Sequence, residues 1–343
     1  MSEVFSLKNL KNAHHKCRLS KQHKRGTVMF ELDLPCKLVK LTNELASFKY
    51  KMGGYTKFKV LDPKERNIEA LSYADRVVLV CFCENSLKPR LERRLIYDNA
   101  ASRENKGTQF AIDRLHKFMH DCFTGFKNNK FYFLKCDISK YFANIDHAIL
   151  LEKLKQIGLS EDELWFCELV IKNGDYARME KGLPLGNLTS QWFALLYLDE
   201  VDRFIKEKLR IKYYTRYMDD FVLIHENKWA LRNAKYEISK LCAEKLKLLL
   251  SPNKTVIGRV GDGLDYLGFN HKLLENGKIQ IKQRQQAKQR MKHKIKRMEQ
   301  KYNAKQIDVS YLKIREQAYL NHLKFTDEKD WVKKRFNKIC KIT

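Results

Sequence analysis

The sequence predicts an α+β fold in which helices pack on a mostly antiparallel sheet. Three observations favour this class: a β-prone apolar run at 131–136, two further runs at 211–216 and 221–224, and intervening segments with apolar residues at helical spacing. β-Branched and aromatic residues suit a pleated surface, whereas spacings of three and four mark one face of a helix. The order strand, helix, strand hairpin, helix therefore indicates helices layered on a sheet.

Two strand elements lie in the first half of the chain. Residues 56–70 predict a hairpin around the turn signal Asp62-Pro63. Residues 131–136 predict a strand that ends at Asp137.

Two helices flank the later hairpin. A loop at 182–186 precedes the first helix, for which Thr189 or Ser190 is the expected N-cap. Its expected apolar face is Leu198, Val201 and Ile205. The second helix is predicted by the helical spacing of Ile238, Leu241, Cys242, Leu246 and Leu249.

The character of the chain changes near residue 278. Between 278 and 301 there are ten Lys or Arg residues and one acid, Glu299. An apolar stripe at spacings of three and four runs through this segment: Ala287, Met291, Ile295, Met298 and Tyr302. The pattern predicts a basic amphipathic helix, for which contact with a phosphate backbone is favoured over a solvated face or a membrane surface.

The bulk composition points to a folded protein with a polyanionic partner. The formal net charge is +27 over 343 residues, and 44% of the residues are hydrophobic. Such a charge costs self-repulsion, so nucleic acid is the leading candidate partner. A basic ribosomal or chromatin-like protein is the alternative, although such proteins are usually shorter and poorer in aromatic residues.

The nine cysteines include no CxxC pair, and Cys81 and Cys83 lie in an apolar segment as expected buried thiols. This usage favours a reducing compartment over a disulfide framework. No apolar run is long enough to span a membrane, and the N-terminus lacks the hydrophobic core of a signal peptide. A cytoplasmic protein without membrane contact is expected.

The most informative feature is Asp219-Asp220 at the expected tip of the second hairpin. Adjacent acids repel each other and have low β-propensity, but carboxylate oxygens suit hard divalent cations. Asp137, at the end of a strand, is the best candidate for a third carboxylate. Taken alone, Asp137 would more simply cap a helix, and spacing does not bring it to Asp219.

Residues 217–220, Tyr-Met-Asp-Asp, resemble the signature of reverse transcriptases, and 137–147 resemble the palm motif of that family. The resemblance implies a right-hand polymerase with fingers, an antiparallel-sheet palm and a helical thumb. The expected boundaries are 1–125 for fingers with a basic N-terminal extension, 126–275 for palm with part of the fingers (about 148–180), and 276–343 for a basic thumb. It also implies two Mg²⁺ ions, with Mn²⁺ as a substitute, held by Asp137, Asp219, Asp220 and the backbone carbonyl of Ile138.

Further segments match the family in the same order. Residues 63–68 and 75–78 resemble the fingers hairpin, which implies that Lys64 and Arg66 grip the triphosphate of an incoming deoxynucleotide. Phe142 matches the gate that excludes a ribose 2′-hydroxyl, although it could simply be a core aromatic. Residues 253–255 imply that Lys254 protonates the pyrophosphate, against the simpler reading of an exposed lysine. Residues 264–269 resemble the primer grip, which implies that role for Tyr266, Leu267 and Gly268.

The subclass depends on 182–191, Gly-Leu-Pro-Leu-Gly-Asn-Leu-Thr-Ser-Gln. Many reverse transcriptases have Gln where Leu185 stands and Pro where Gln191 stands. The variant is similar to enzymes of diversity-generating retroelements, which copy a template-repeat RNA with errors at adenines. In that family Leu185, Gly186 and Gln191 line the nucleotide site, and the partners are a structured template RNA, the RNA–DNA duplex and a small basic accessory protein.

Other interpretations remain open. Retron-type and phage-defence reverse transcriptases are the alternatives within the class, and a group II intron maturase is ranked below them because the sequence shows only one basic helical region after the palm. From a different class, the chain could be a non-catalytic RNA-binding relative, but the acids, Lys64 and Arg66 are all present. In the sequence alone, nothing indicates where the accessory protein would bind.

Overall fold

The computed structural model describes residues 3–61, 65–125, 130–175 and 179–340. The helices are α1 (Leu7–Arg18), α2 (Arg25–Glu31), α3 (Leu34–Ala46), α4 (Tyr73–Phe82), α5 (Lys88–Arg94), α6 (Thr108–Gly125), α7 (His147–Gln156), α8 (Glu161–Ile171), α9 (Leu188–Tyr197), α10 (Asp199–Arg203), α11 (Lys228–Leu246), α12 (Gln285–Asn303), α13 (Val309–His322) and α14 (Lys329–Cys340). The strands are β1 (Thr56–Val60), β2 (Arg66–Ala70), β3 (Tyr132–Cys136), β4 (Tyr213–Tyr217), β5 (Asp220–His225), β6 (Val256–Arg259), β7 (Leu264–Tyr266), β8 (Phe269–Leu273) and β9 (Ile279–Gln283).

The central sheet has the strand order β4-β5-β3-β6, and every pair in it is antiparallel. Successive side chains on β3 point to opposite faces, so Leu134 joins one apolar cluster and Phe133 another. On β5, Leu223 and Val222 are divided in the same way. Because both faces are covered, the strands read as continuous apolar runs rather than as an alternating pattern.

Two smaller antiparallel sheets flank the central one. β1 and β2 form the hairpin expected at 56–70, and all of β1 is exposed. Its turn signal, Asp62-Pro63, lies outside the described residues. β7, β8 and β9 form a three-stranded sheet. Helices with antiparallel sheets give the α+β class that the sequence predicted.

The helix after the 182–186 loop begins earlier than expected. Its N-cap is Asn187, with φ −85° and ψ 140°, and Thr189 and Ser190 lie buried within the first turn. The prediction of a cap at Thr189 or Ser190 was wrong, because the only extended backbone between Gly186 and the helix is at Asn187. The expected face of Leu198, Val201 and Ile205 is fully buried, but it spans a break, since Leu198 lies between α9 and α10 with ψ 2°.

The other helices confirm the apolar spacing with two corrections. α11 buries Ile238, Leu241, Cys242 and Leu246, whereas Leu249 lies beyond the helix and is 65% exposed. The chain leaves the helix at Lys247, whose φ of 51° breaks the periodicity. In the basic C-terminal segment, 279–283 form β9 against β8 before α12 begins.

The three C-terminal helices have their own apolar cluster. Met291, Ile295 and Met298 of α12 pack in it with residues of α13 and α14, Leu312, Val332 and Phe336 among them. The opposite side of α12 is basic and exposed. Cys81 and Cys83 are fully buried, as expected. Among the described residues, no helix is both long and apolar enough to cross a bilayer.

Candidate active site

The Asp219-Asp220 pair lies at the turn of the β4–β5 hairpin. The two strands pair as far as Tyr217↔Asp220, which leaves Met218 and Asp219 as a two-residue loop. Met218 has φ 56°, the left-handed conformation that tight hairpin turns use. Asp219 is therefore in the loop, as expected, whereas Asp220 begins β5 because the pairing extends to it.

β3 brings Asp137 to the same end of the sheet. The antiparallel register of β3 and β5 runs to Cys136↔Phe221. Asp137 follows Cys136 directly and Asp220 precedes Phe221 directly, so the two acids leave adjacent strands at one edge. The sequence could not provide this proximity, which the strand register supplies.

Burial and like charge make this carboxylate set electrostatically costly. Burial raises the pKa of Asp219, and the negative charge of Asp137 raises it further. Burial also raises the pKa of Asp220 to about 6, although Lys135 draws it back. Lys135 Nζ lies 3.4 Å from Asp220 Oδ2, while Oδ1 of Asp220 is buried with no hydrogen-bond partner among the described residues. A divalent cation would relieve both costs, since it neutralises charge and prefers carboxylate oxygen.

Lys254 is held against Asp137. Its Nζ donates to Asp137 Oδ1 at 2.7 Å and to Oδ2 at 2.9 Å. The turn at 251–255 positions it, because Ser251 N donates to the Asp137 carbonyl at 2.7 Å. Lysine ammonium groups therefore neutralise both Asp137 and Asp220.

Among the described residues, no group of three or more His, Cys, Asp or Glu side chains is arranged to hold a metal ion.

The backbone carbonyl of Ile138, which the sequence analysis predicted as a metal ligand, lies next to an isolated β-bridge. Ile138 pairs with Leu250 in an isolated antiparallel bridge. The hydrogen bonds of this bridge come from neighbouring residues, Ser139 N to Leu249 O and Ser251 N to Asp137 O. The bridge therefore does not use the carbonyl of Ile138.

A buried ion pair that the sequence analysis missed supports the hairpin. Arg216 and Asp202 are both fully buried, and the guanidinium donates to both carboxylate oxygens at 2.7 and 2.6 Å. Arg216 also donates to the carbonyl of Met218 at 2.9 Å and to that of Leu195 at 3.2 Å. Burial opposes the charge on Arg216, but Asp202 outweighs it, so the pKa of the guanidinium is raised. The pair fixes the turn that carries Asp219.

Phe142 and the 182–187 loop are joined by backbone hydrogen bonds. Leu183 N donates to the carbonyl of Phe142 at 2.8 Å, and Glu69 N on β2 donates to the carbonyl of Leu185 at 3.0 Å. Gly186 has φ 137°, and a Cβ there would lie 2.7 Å from the carbonyl oxygen of Glu69. Phe142 and Leu185 are both half-buried. The structure thus connects the β1–β2 hairpin, the loop and Phe142.

Of the remaining residues predicted to bind the nucleotide, the structure describes Arg66, Gly186 and Gln191. Arg66 is exposed at the start of β2, while Lys64 lies outside the described residues. Gln191 accepts a hydrogen bond from Ser102 Oγ at 2.7 Å. Gln191 and Gly186 line a cavity of about 380 Å³, together with residues that include Lys16, Lys21 and Arg76.

The residues predicted as primer grip form the β7–β8 turn. Tyr266 pairs with Phe269, and Leu267 and Gly268 between them have φ 46° and 93°. Left-handed backbone at a leucine is strained, and such strain concentrates at functional sites. His271 Nε2 lies 3.2 Å from the carbonyl of Tyr266, which ties the turn to β8.

An antiparallel palm sheet with acids at one edge, a β-hairpin beside it and a helical C-terminal unit defines the right-hand polymerase fold. Residues 62–271 match the family model described as "Reverse transcriptase (RNA-dependent DNA polymerase)". This match covers more than half of the chain, and the chain belongs to the reverse transcriptase family.

Curated relatives are encoded in introns. A putative COX1/OXI3 intron 2 protein of Saccharomyces cerevisiae is 25% identical, over 57% of this chain and 21% of that protein. The group II intron-encoded protein LtrA of Lactococcus lactis subsp. cremoris is 23% identical, over 43% of this chain and 36% of that protein. The chain thus spans between about a fifth and just over a third of the length of these relatives.

Solved structures of telomerases share the fold. The telomerase of Candida albicans, determined with a fragment of telomeric RNA, superposes with a TM-score of 0.51 and 12% identity, over 72% of this chain and 51% of that chain. The apo telomerase of Candida tropicalis gives a TM-score of 0.51 at 15% identity, over 71% and 53%. At these identities the likeness concerns the fold alone.

Proposed function

We propose that this protein is an RNA-directed DNA polymerase that extends a DNA primer along an RNA template by nucleotidyl transfer from deoxynucleoside triphosphates. The observation that carries the proposal is the placement of Asp137, Asp219 and Asp220 at one edge of the sheet. Structural roles do not explain three acids there, because each raises the cost of burying the others.

The carboxylates of Asp137, Asp219 and Asp220 and the carbonyl of Ile138 would hold two Mg²⁺ ions, or Mn²⁺ as a substitute. Such ions activate the attacking hydroxyl and neutralise charge on the triphosphate. Oδ1 of Asp220, which has no hydrogen-bond partner among the described residues, and the carboxylate and carbonyl oxygens beside it are the donor type that these cations prefer. The side chains would have to draw together to coordinate an ion, because among the described residues no three acids are arranged to hold one. Without an ion, the ammonium groups of Lys254 and Lys135 balance the charge of Asp137 and Asp220, and a bound cation would take over that role.

Lys254 has a second role in the proposal. Released from Asp137, its ammonium remains within reach of the same site and carries the proton that the departing pyrophosphate needs. Arg66 supplies a guanidinium fork for phosphate oxygens, and Lys64 a point charge. Phe142 excludes a ribose 2′-hydroxyl sterically, while Leu185, Gly186 and Gln191 shape the pocket of the nascent base pair.

The duplex would lie between the palm and the C-terminal helices. Tyr266, Leu267 and Gly268 support the primer end from the β7–β8 turn. The basic face of α12 contacts the backbone of the RNA–DNA duplex without reading its sequence. This assigns 1–125 to fingers, 126–275 to palm with part of the fingers and 276–343 to thumb.

The diversity-generating retroelement type is the subclass we favour, because of Leu185 and Gln191. A leucine in place of glutamine cannot hydrogen-bond the nucleotide or template, and selectivity comes partly from polar groups that a wrong substrate leaves unpaired. Copying would then be error-prone at adenines of a template-repeat RNA, with a small basic accessory protein as partner. An intron-encoded reverse transcriptase is the second candidate, which the curated relatives favour.

Primer extension on an RNA template with Mg²⁺ tests the activity. The wild-type chain should extend the primer and Asp219→Ala should not, whereas the absence of extension on any template would leave only a non-catalytic RNA-binding protein. Sequencing the cDNA from Leu185→Gln tests the subclass, since adenine misincorporation should fall. An adenine error rate equal to that of the wild type would refute the role of Leu185. Paired template and variable repeats in the neighbouring DNA would distinguish the two candidates.

A further inference from the structure

The outer face of α11 carries two exposed aromatic rings among cationic side chains. Trp229 is 72% exposed and Tyr236 is 65% exposed, whereas Trp192 is 3% exposed. The two rings are seven residues apart, which is about two helical turns, so they lie on the same face. Arg232 and Lys240 are exposed on that face at helical spacing from the rings. We call Trp229, Arg232, Asn233, Tyr236 and Lys240 the α11 stripe.

The stripe is separate from the candidate active site. α11 follows β5, whose first residue is Asp220 and whose last is His225. Five residue steps along a strand cover about 17 Å, so Trp229, just after β5, lies at the opposite end of the sheet from the acids. The inner face of α11, including Leu231 and Ile238, is buried on the sheet. From Trp229 the helix runs back toward the acids, since Ser251 N, beyond the end of α11, donates to the Asp137 carbonyl at 2.7 Å. The stripe residues are nevertheless exposed on the face of α11 opposite the buried one, so they belong to neither the core nor the acidic edge.

The charges on the stripe are all positive. The guanidinium of Arg232 lies 4.5 Å from the centroid of the Trp229 ring, within the range of a cation–π contact. Nearby, Lys228 Nζ lies 5.7 Å from the ring of Tyr132. Glu237 and Glu244, at helical spacing from Asn233 and Lys240, border the stripe on one flank, whereas Arg232 lies on the opposite flank. The side that carries the two rings, Arg232 and Lys240 thus complements a polyanion with flat, stackable groups.

This chemistry matches a single nucleic acid strand better than a protein surface. Trp, Tyr and Arg are common at protein interfaces as well, but lysine is depleted there, whereas Lys240 is exposed one helical turn from Tyr236. The rise between the rings, about 10.5 Å, equals about three steps of a stacked strand at roughly 3.4 Å each. Rings that stack on bases and cations that follow the backbone are the usual elements of single-strand binding.

We propose that the α11 stripe binds single-stranded RNA, with bases stacked on Trp229 and Tyr236 and phosphates held by Arg232 and Lys240. This site goes beyond the proposed polymerase function, because it lies outside the catalytic cleft and holds unpaired RNA. It provides the protein with a second attachment point for an RNA whose paired segment is in the cleft.

The test measures binding of a fluorescent, unstructured RNA of about 12 nucleotides to the full chain by anisotropy. An excess of unlabelled RNA–DNA duplex occupies the cleft. Each ring removed should weaken RNA binding at least about fivefold, so the double variant Trp229→Ala/Tyr236→Ala should bind at least about 25-fold more weakly. The double variant Trp229→Phe/Tyr236→Phe keeps flat rings and should bind within about threefold of wild type.

Tyr97→Ala is the matched control, because Tyr97 is 64% exposed and is also flanked by cations, Lys106 and Arg114, but is not on α11. It should bind like wild type. Equal affinity of the alanine double variant and wild type would overturn the proposal, and if size-exclusion chromatography then showed a lost dimer, the face would belong to a second copy of this chain. Equal loss in the phenylalanine and alanine variants would overturn stacking. Primer extension is measured separately, so its failure would count against the polymerase and not against this site.

Discussion

The Arg216–Asp202 pair offers the sharpest test of how the acidic hairpin is held. Asp202→Asn keeps the shape of the side chain but removes its charge, and leaves the fully buried guanidinium of Arg216 without a counter-ion. Breaking a buried ion pair from one side typically costs about 3–5 kcal/mol. We therefore expect the free energy of unfolding, measured by urea denaturation at neutral pH, to fall by about that amount.

The double variant Arg216→Met/Asp202→Leu separates stability from positioning. Apolar residues of similar size often replace a buried ion pair at little cost. The buried Tyr214 hydroxyl, which donates to Asp202 Oδ1 at 2.5 Å, loses its acceptor at a cost of about 1–3 kcal/mol, so part of the lost stability should return. The hydrogen bond from Arg216 to the Met218 carbonyl is still absent, so primer extension should stay well below wild type. Full recovery of extension in the double variant would refute the positioning role. A loss below about 1 kcal/mol for Asp202→Asn would refute the energetic reasoning.

An exposed pair provides the control for the charge change itself. Lys172 and Glu168 form a surface ion pair, with side chains 58% and 47% exposed. Such pairs contribute between about 0 and 1 kcal/mol, so Glu168→Gln should leave both unfolding and primer extension nearly unchanged.

Three further predictions concern other parts of the site. Burial lowers the pKa of His116 and of His271 to about 4, whereas unfolded histidine titrates near about 6.5. The contribution of these two histidines to the free energy of unfolding should therefore be constant above that pH and fall below it by up to about 1.4 kcal/mol per pH unit for each. The raised pKa of Asp220 acts in the opposite direction, so the measurement is the difference between wild type and a double His→Gln variant in urea titrations at pH 7 and pH 5, and that difference should change with pH. Gly186→Ala should destabilise by about 1–3 kcal/mol because of its left-handed backbone, whereas Gly54→Ala, with open space around it, should not; equal effects on the thermal midpoint would contradict this. Asp220→Asn should abolish primer extension without lowering the free energy of unfolding, because it removes a buried charge beside like charges; a clear loss of stability would show that the carboxylate has a structural role.

Local patterns predicted the elements and missed the boundaries that depend on neighbours. β3 and the β4–β5 hairpin were evident because their β-prone runs are short and bounded. The N-cap was misplaced by two or three residues because Asn187 adopts extended backbone where its side chain donates to Tyr55 at 2.9 Å, a contact from distant sequence. Leu249 fits the periodicity of α11 but is exposed, since Lys247 ends the helix.

In the candidate site as well, some residues could be recognised from local sequence patterns and others only from the folded structure. Asp219 and Asp220 were evident because adjacent acids between apolar strands have no structural advantage. No sequence pattern indicated that Arg216 is buried and ion-paired, because an arginine in a strand usually faces solvent. Its partner Asp202 is on a helix. Lys135 likewise resembled an ordinary strand lysine. Charges of this kind acquire a role only when packing excludes water around them.

By itself, the sequence determined the fold class and the basic C-terminal helix and marked the candidate acids, because these depend on composition, short-range spacing and motifs along the chain. Only the tertiary structure decided that Asp137 lies beside Asp220, that Lys254 neutralises Asp137 and that Arg216 fixes the turn between β4 and β5. These contacts join residues far apart in the chain, and their strength comes from strand register and burial. Neither exists until the sheet is paired and covered.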